Sequence, residues 1–137
     1  MPNYEKFMIS QVGVWVKDGK VLILEDASKP GLYVIPGGRI DEQEEAEVAF
    51  ARELKEEIGM DVFEKGEHLM TYPWYAGERK VPYCAVAYRI TSDHADIQLS
   101  FEHLQYKWIT QEEINDYNYI WPCTAEMLRK GFERKEI

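Results

Sequence analysis

Residues 38–60 read GRIDEQEEAEVAFARELKEEIGM, and the fold turns on how this stretch is read. Ala46, Ala49, Phe50, Leu54 and Ile58 recur at the spacing of one helical face, which predicts an amphipathic helix with these side chains as its buried stripe. Asp41 stands where an N-cap belongs, with Glu44 three residues on as its capping-box partner. Gly59 is placed to end the helix. On such a helix Glu53, Glu56 and Glu57 share one face, because residues three and four apart are neighbours. Glu53 and Glu57, like charges one turn apart, cost roughly 0.2–0.5 kcal/mol unless something compensates. A hard cation compensates. Three carboxylates without histidine or cysteine beside them suit Mg2+ or Mn2+ better than zinc. Taken alone, a Glu-rich helix is more often a solvated face, and Arg52 with Glu56 makes an ordinary i,i+4 ion pair.

Outward from the helix the pattern changes to strands. Upstream, Val12 to Val16 and Val21 to Leu24 are β-rich runs, and the Asp18-Gly19 between them signals a hairpin. Lys29-Pro30-Gly31 marks a second turn, and Tyr33 to Ile35 forms a short strand ending at Pro36-Gly37-Gly38. Downstream, Val62 to Trp74 and Val81 to Ile90 read as strands around a loop containing Gly77, followed by a short strand from Tyr106 to Ile109. Pro122 opens a last helix with Ala125, Leu128 and Phe132 inward. The expected class is α/β: a mixed β-sheet flanked by helices, in a single domain over residues 1–137, with one hydrophobic core.

Charge and composition narrow the function. Hydrophobic residues make up 45% of the chain and aromatics 13%, enough to pack a globule rather than remain disordered. The net charge of -9 excludes polymeric nucleic acid, which demands a basic footprint. Between Asp41 and Glu57 eight acidic residues face two basic ones, so this segment alone carries -6 of that charge. A divalent ion bound there would invert the local field and admit phosphate. No signal peptide or bilayer-spanning run is visible, so a cytoplasmic location without membrane attachment is expected. Cys84 and Cys123 lie far apart without a CxxC and read as buried thiols. A homodimer is open as an assembly, on frequency alone.

The spacing then carries the reading further. Gly38, Glu44, Arg52, Glu53, Leu54, Glu56, Glu57, Gly59 and Met60 resemble the Nudix box at every specified position, G-x5-E-x7-R-E-U-x-E-E-x-G-U with U aliphatic. Tyr33 to Gly38 is similar to the strand and Pro-Gly-Gly entry of the same family. The resemblance implies the Nudix α/β/α sandwich and a loop-helix-loop over the box. It also implies a Mg2+-dependent hydrolase, Mn2+ being an alternative, that cuts the diphosphate linkage of a nucleotide-like small molecule. By the same resemblance Glu53, Glu56 and Glu57 bind metal, with a backbone carbonyl near Gly38. Arg52 orients the glutamates and pairs with Glu44, which two turns of helix would allow along one face. Gln43 departs from the glycine that many members carry before the first box glutamate.

Catalysis needs a carboxylate base, for which Glu53 and Glu102 are both candidates; Glu102 reads equally as a solvated loop residue. His103 reads as a surface residue or a neighbour of a ligand rather than a ligand. For the substrate, Tyr72 and Trp74 offer rings that could stack on a base, although aromatics at a strand end more often pack a core. Arg39 and Arg79 are the candidate basic contacts to phosphate. Tyr72-Pro73 lies at roughly the distance from the box seen in some ADP-ribose-cleaving relatives, and Pro73-Trp74 faintly resembles the NADH-cleaving ones; neither match is complete. The alternative is a catalytically silent Nudix-fold nucleotide-binding or sensor module, although such members usually lose box glutamates and none is lost here.

Overall fold

The computed structural model describes residues 3–94 and 96–133. Among the described residues, eight strands and two helices follow in the order β1 (Met8–Lys17), β2 (Lys20–Asp26), β3 (Leu32–Val34), β4 (Gly37–Arg39), α1 (Ala46–Ile58), β5 (Glu64–Ala76), β6 (Val81–Thr91), β7 (His103–Ile109), β8 (Asn118–Tyr119) and α2 (Thr124–Phe132). A short 3-10 turn at Glu112–Asp116 precedes β8. The strands run β5-β6-β1-β2-β3-β8 across the sheet, with β4 added to β1 and β7 to β2. β1 is parallel to β6 and antiparallel to β2 and β4, so the sheet is mixed.

Alternation explains why helices cover both faces. Along β2, Val21 and Ile23 enter one buried cluster while Leu22 and Leu24 enter another. Successive side chains of a strand point to opposite faces, so a fully apolar strand must be covered on both. The first cluster holds Val12, Val14, Met127 and Leu128, with α2 against it. The second holds Trp15 and Ile90 against Phe50, Leu54 and Ile58 of α1. The α/β/α sandwich therefore has two cores where the sequence suggested one, because the sheet separates them.

The element boundaries correct several expectations. α1 begins at Ala46 with Glu45 as N-cap, not at Asp41, and Ala46 is exposed rather than part of the buried stripe. Asp41 and Glu44 close a turn instead: the Glu44 N–H donates to the Asp41 carbonyl, and the Asp41 N–H donates to Glu44 Oε1, both at 3.0 Å. Between them Gln43 has φ 60°, a left-handed conformation that a helix cannot contain. Gly59 does end α1, at φ 71°. Gly37 and Gly38 do not merely end a strand; they form β4 on β1. Gly37 sits at φ 148°, and a side chain there would overlap the Gln11 carbonyl, so only glycine admits this approach.

Val62 is outside β5 and 79% exposed, and β7 opens at His103 rather than Tyr106. The last helix starts two residues after Pro122, at Thr124, with Ala125 and Phe132 partly buried and Leu128 fully so. Cys123 is buried and Cys84 partly so; both are free thiols, and burial pushes Cys123 up to about 11. No helix among the described residues is long and apolar enough to cross a membrane.

Candidate active site

Arg52, on α1, is the hub of the site. Its Nε and Nη2 donate to the two carboxylate oxygens of Glu44 at 2.7 and 2.8 Å, a bidentate pair. Nη1 donates to Glu53 Oε1 at 2.9 Å and to Glu56 Oε2 at 3.2 Å. Nη2 also donates to the Arg39 carbonyl at 3.2 Å and lies 3.3 Å from Asp41 Oδ2. Glu44 reaches Arg52 from the turn before the helix, not along one helical face as the eight-residue spacing suggested. The hydrogen bond from Arg52 holds the Glu44 carboxyl down to about 2, so the pair stays ionised across the physiological range.

Glu57 faces the other way, into the protein. It is buried; its Oε1 accepts from the Gly37 N–H at 3.2 Å, and its Oε2 lies 3.2 Å from His103 Nε2. Burial pushes its pKa up to about 9, and the charges of Glu53, Glu102 and Glu56 add to the push. Glu53 is raised as well, first by burial, with Glu56 and Glu102 opposing its ionisation. These mutual effects place all four carboxylates in one electrostatic cluster. A side chain at Gly38 would occupy the space of the Glu53 carboxylate, so the glycine is what lets Glu53 lie against β4. His103 is itself buried with its Nδ1 unpartnered, and burial lowers its pKa, which favours a neutral ring beside Glu57.

These groups open onto a cleft of about 850 Å³. Gly38, Glu53, Glu56, Glu57 and Glu102 line it, together with Arg39. So do Trp74, Tyr83 and Trp121, which touch one another: Trp74 stacks on Tyr83 at 5.5 Å between ring centroids and meets Trp121 at 5.6 Å. The Arg39 guanidinium lies 5.6 Å over the Tyr83 ring. Tyr72 packs against the α2-side core and touches Trp74, but is not among the cleft residues. Arg79 is exposed in the turn between β5 and β6, also away from the lining. Ser10, Tyr83 and Trp121 line the cleft although nothing in the sequence singled them out. Trp121 comes from the loop before α2, far along the chain from β5, so only tertiary contact joins it to Trp74.

The donor set fits a hard divalent cation: every side-chain donor of the cluster is a carboxylate oxygen, and the negative charges beside Glu53 and Glu57 oppose their ionisation, a strain that positive charge relieves. Among the described residues, no three His, Cys, Asp or Glu side chains stand already gathered for chelation. The reason is visible in Arg52, which draws Glu53 and Glu56 to itself, while Glu57 is held by Gly37 and His103.

A profile of the NUDIX domain matches residues 9–130. The chain belongs to the Nudix family. As a Nudix pyrophosphohydrolase it is 27% identical over 104 residues to the CTP pyrophosphohydrolase of Escherichia coli, covering 74% of each chain. It is 24% identical over 112 residues to the nucleoside triphosphatase NudI of Klebsiella pneumoniae, covering 74% of this chain and 78% of that one. Among solved structures, the E. coli dihydroneopterin triphosphate pyrophosphohydrolase has the same fold, with a TM-score of 0.77 at 19% identity over 92% of this chain and 97% of that one. The Nudix fold expected from the box is thus the fold observed.

Proposed function

We propose that this Nudix protein uses divalent cations, Mg2+ foremost, to hydrolyse the diphosphate linkage of a nucleoside triphosphate or a similar nucleoside diphosphate derivative. The observation that carries this is one cleft lined by both the four-glutamate cluster and three adjoining aromatic rings. The names of the two curated relatives, both nucleoside triphosphate-cleaving, agree with it. Glu53, Glu56 and Glu57 with a carbonyl near Gly38 would hold the ion; when bound, it neutralises phosphate charge and polarises the phosphorus–oxygen bond.

The chain's own residues do the rest. Arg52 is fully engaged by carboxylates, so its part is to hold Glu53 and Glu56 in place rather than to bind phosphate. Either Glu53 or Glu102 takes the proton from the water that attacks phosphorus as the bridging oxygen departs. The raised pKa of Glu53 brings it nearer the operating pH of a general base. Arg39 meets the substrate from β4, and Trp74 offers a ring face to a base.

Purified protein with Mg2+ or Mn2+ should be screened against nucleoside triphosphates, ADP-ribose, NADH, dinucleoside polyphosphates and nucleotide sugars, with products separated by chromatography. A metal-dependent product from one class is expected. Ligand binding without turnover anywhere in the panel would overturn the hydrolase reading in favour of a silent nucleotide sensor.

A further inference from the structure

A second cavity, of about 420 Å³, opens at the far end of β1 and β2 from the catalytic cleft and shares no lining residue with it. Ser10 lines the cleft, whereas Lys17 of the same strand lines this cavity, roughly 20 Å further along at about 3.3 Å per residue. Lys17 and Lys20 face each other directly across the β1–β2 ladder, on either side of the Asp18-Gly19 turn. Paired residues share a face of the sheet. Trp15 and Leu22, one alternation inward, belong to the α1-side core, so both lysines lie on that side. Trp108 pairs with Leu22 and Tyr106 with Leu24, which puts both rings on the same side. Ile97 and His94, from the segment between β6 and β7, also line the cavity.

Like charges directly opposite on a ladder destabilise it. Among the described residues, neither lysine has a carboxylate within ion-pair distance to relieve this. Asp18 lines the cavity without pairing to either lysine. The Glu113 carboxyl is held below its ordinary range first by the Thr110 N–H and hydroxyl, and only after them by Lys20, so it is already engaged. The Lys17 ammonium lies instead 5.8 Å over the ring of Trp15, which meets Trp108 edge-on at 4.9 Å between centroids. One cation is thus on the ring side of the cavity. Trp108 is half-buried and Tyr106 is exposed, so ring surface is open beside the two charges.

We propose that this cavity is a second ligand site, separate from the catalytic cleft, for a small phosphate monoester that carries a flat ring. The phosphate sits between Lys17 and Lys20, and the ring lies against Trp108 and Tyr106. A phosphate dianion matches two opposed ammoniums, where a carboxylate would leave one of them uncompensated. Aromatic faces and the Ile97 side chain give the organic part an apolar surface to cover. The volume is that of an ordinary small-molecule pocket. The site does not depend on the hydrolase reading, because none of its residues belongs to the catalytic cleft.

The test is a proton–nitrogen NMR titration of the whole protein with phenyl phosphate, inorganic phosphate and benzyl alcohol. Phenyl phosphate should give saturable shifts at the Trp108 indole N–H and at the amides of Lys17, Lys20 and Ile97. Phosphate alone should reach the same lysine amides with at least about tenfold weaker affinity, and benzyl alcohol should not saturate. The double variant Lys17→Gln, Lys20→Gln should weaken phenyl phosphate at least about tenfold, since both charge-assisted contacts are gone. Tyr106→Ala should weaken phenyl phosphate while leaving inorganic phosphate unchanged. Dispersed spectra and wild-type melting curves show that each variant is folded. Shifts confined to Gly38 and Trp74 place the probe in the catalytic cleft and overturn the second site. No saturable shift, or unchanged affinity in the folded double variant, overturns it equally. Inorganic phosphate binding as tightly as phenyl phosphate overturns the ligand class.

Discussion

At the scale of single residues, Gln43 and Glu57 each show a side chain held against its preference. Gln43 takes φ 60° in the turn that brings Glu44 back to Arg52, a conformation that suits glycine far better than a residue with a Cβ. This accounts for the glycine common there in the family. Gln43→Gly should stabilise the protein by about 0.5–1 kcal/mol, the gain in strain being partly offset by the freer unfolded chain; chemical denaturation would show it, and a loss of stability would contradict the strain. Glu57 is a buried carboxyl whose own environment disfavours its charge. Glu57→Gln keeps an acceptor for the Gly37 N–H but removes the anion, and turnover should fall at least about a hundredfold, as should Glu53→Gln. Near-normal rates in both variants would discard the proposed metal site.

Among the elements, α1 carries two unrelated obligations on opposite faces. Its apolar face buries Phe50, Leu54 and Ile58 against Trp15, Leu22 and Leu24 of the sheet, while its polar face aims Glu53 and Glu56, both held by Arg52, at the cleft. The two faces are linked rigidly, so loosening the packing should misalign the carboxylates. Leu54→Ala, at a fully buried position, should cost about 2–5 kcal/mol of stability, read from urea unfolding. A cost below 1 kcal/mol would mean that the helix docks mainly through its polar face. β5 shows a second device. Its register slips twice, on either side of His68, and Tyr72 and Trp74 lie on the α2 side of the sheet. The two slips cancel in parity, so Trp74 keeps the face opposite to Lys65 that simple alternation assigns it.

For the whole molecule, the buried acidic cluster makes stability depend on pH and on cations together. The folded-state pKa of Glu57, about 9, lies above the ordinary value of 4.5, so the folded protein holds a proton that the unfolded chain releases. Stability from this group is therefore full below about 4.5 and is lost as pH rises through about 9. A divalent ion takes the place of the proton. In thermal melts, Mg2+ should raise Tm more at pH 8.5 than at pH 6, and Glu57→Gln should abolish most of that difference. A Mg2+ effect independent of pH would separate Glu57 from the cation.

The sequence by itself determined the helix, its glycine stop, the strand runs on either side and the family. These rest on local periodicity and on the spacing of charged residues along one chain, which neighbours in sequence suffice to specify. It also named Glu53, Glu56, Glu57 and Arg52, because their grouping is a matter of helical pitch. The tertiary structure decided the rest. Where α1 begins depended on Arg52 needing Glu44 from a turn, an ion pair that outweighs a cap. The apolar runs of β2 became two cores only when a sheet divided them. Ser10, Tyr83 and Trp121 entered the cleft through strand register and a distant loop, and contacts between residues far apart in the chain leave no periodic mark to read.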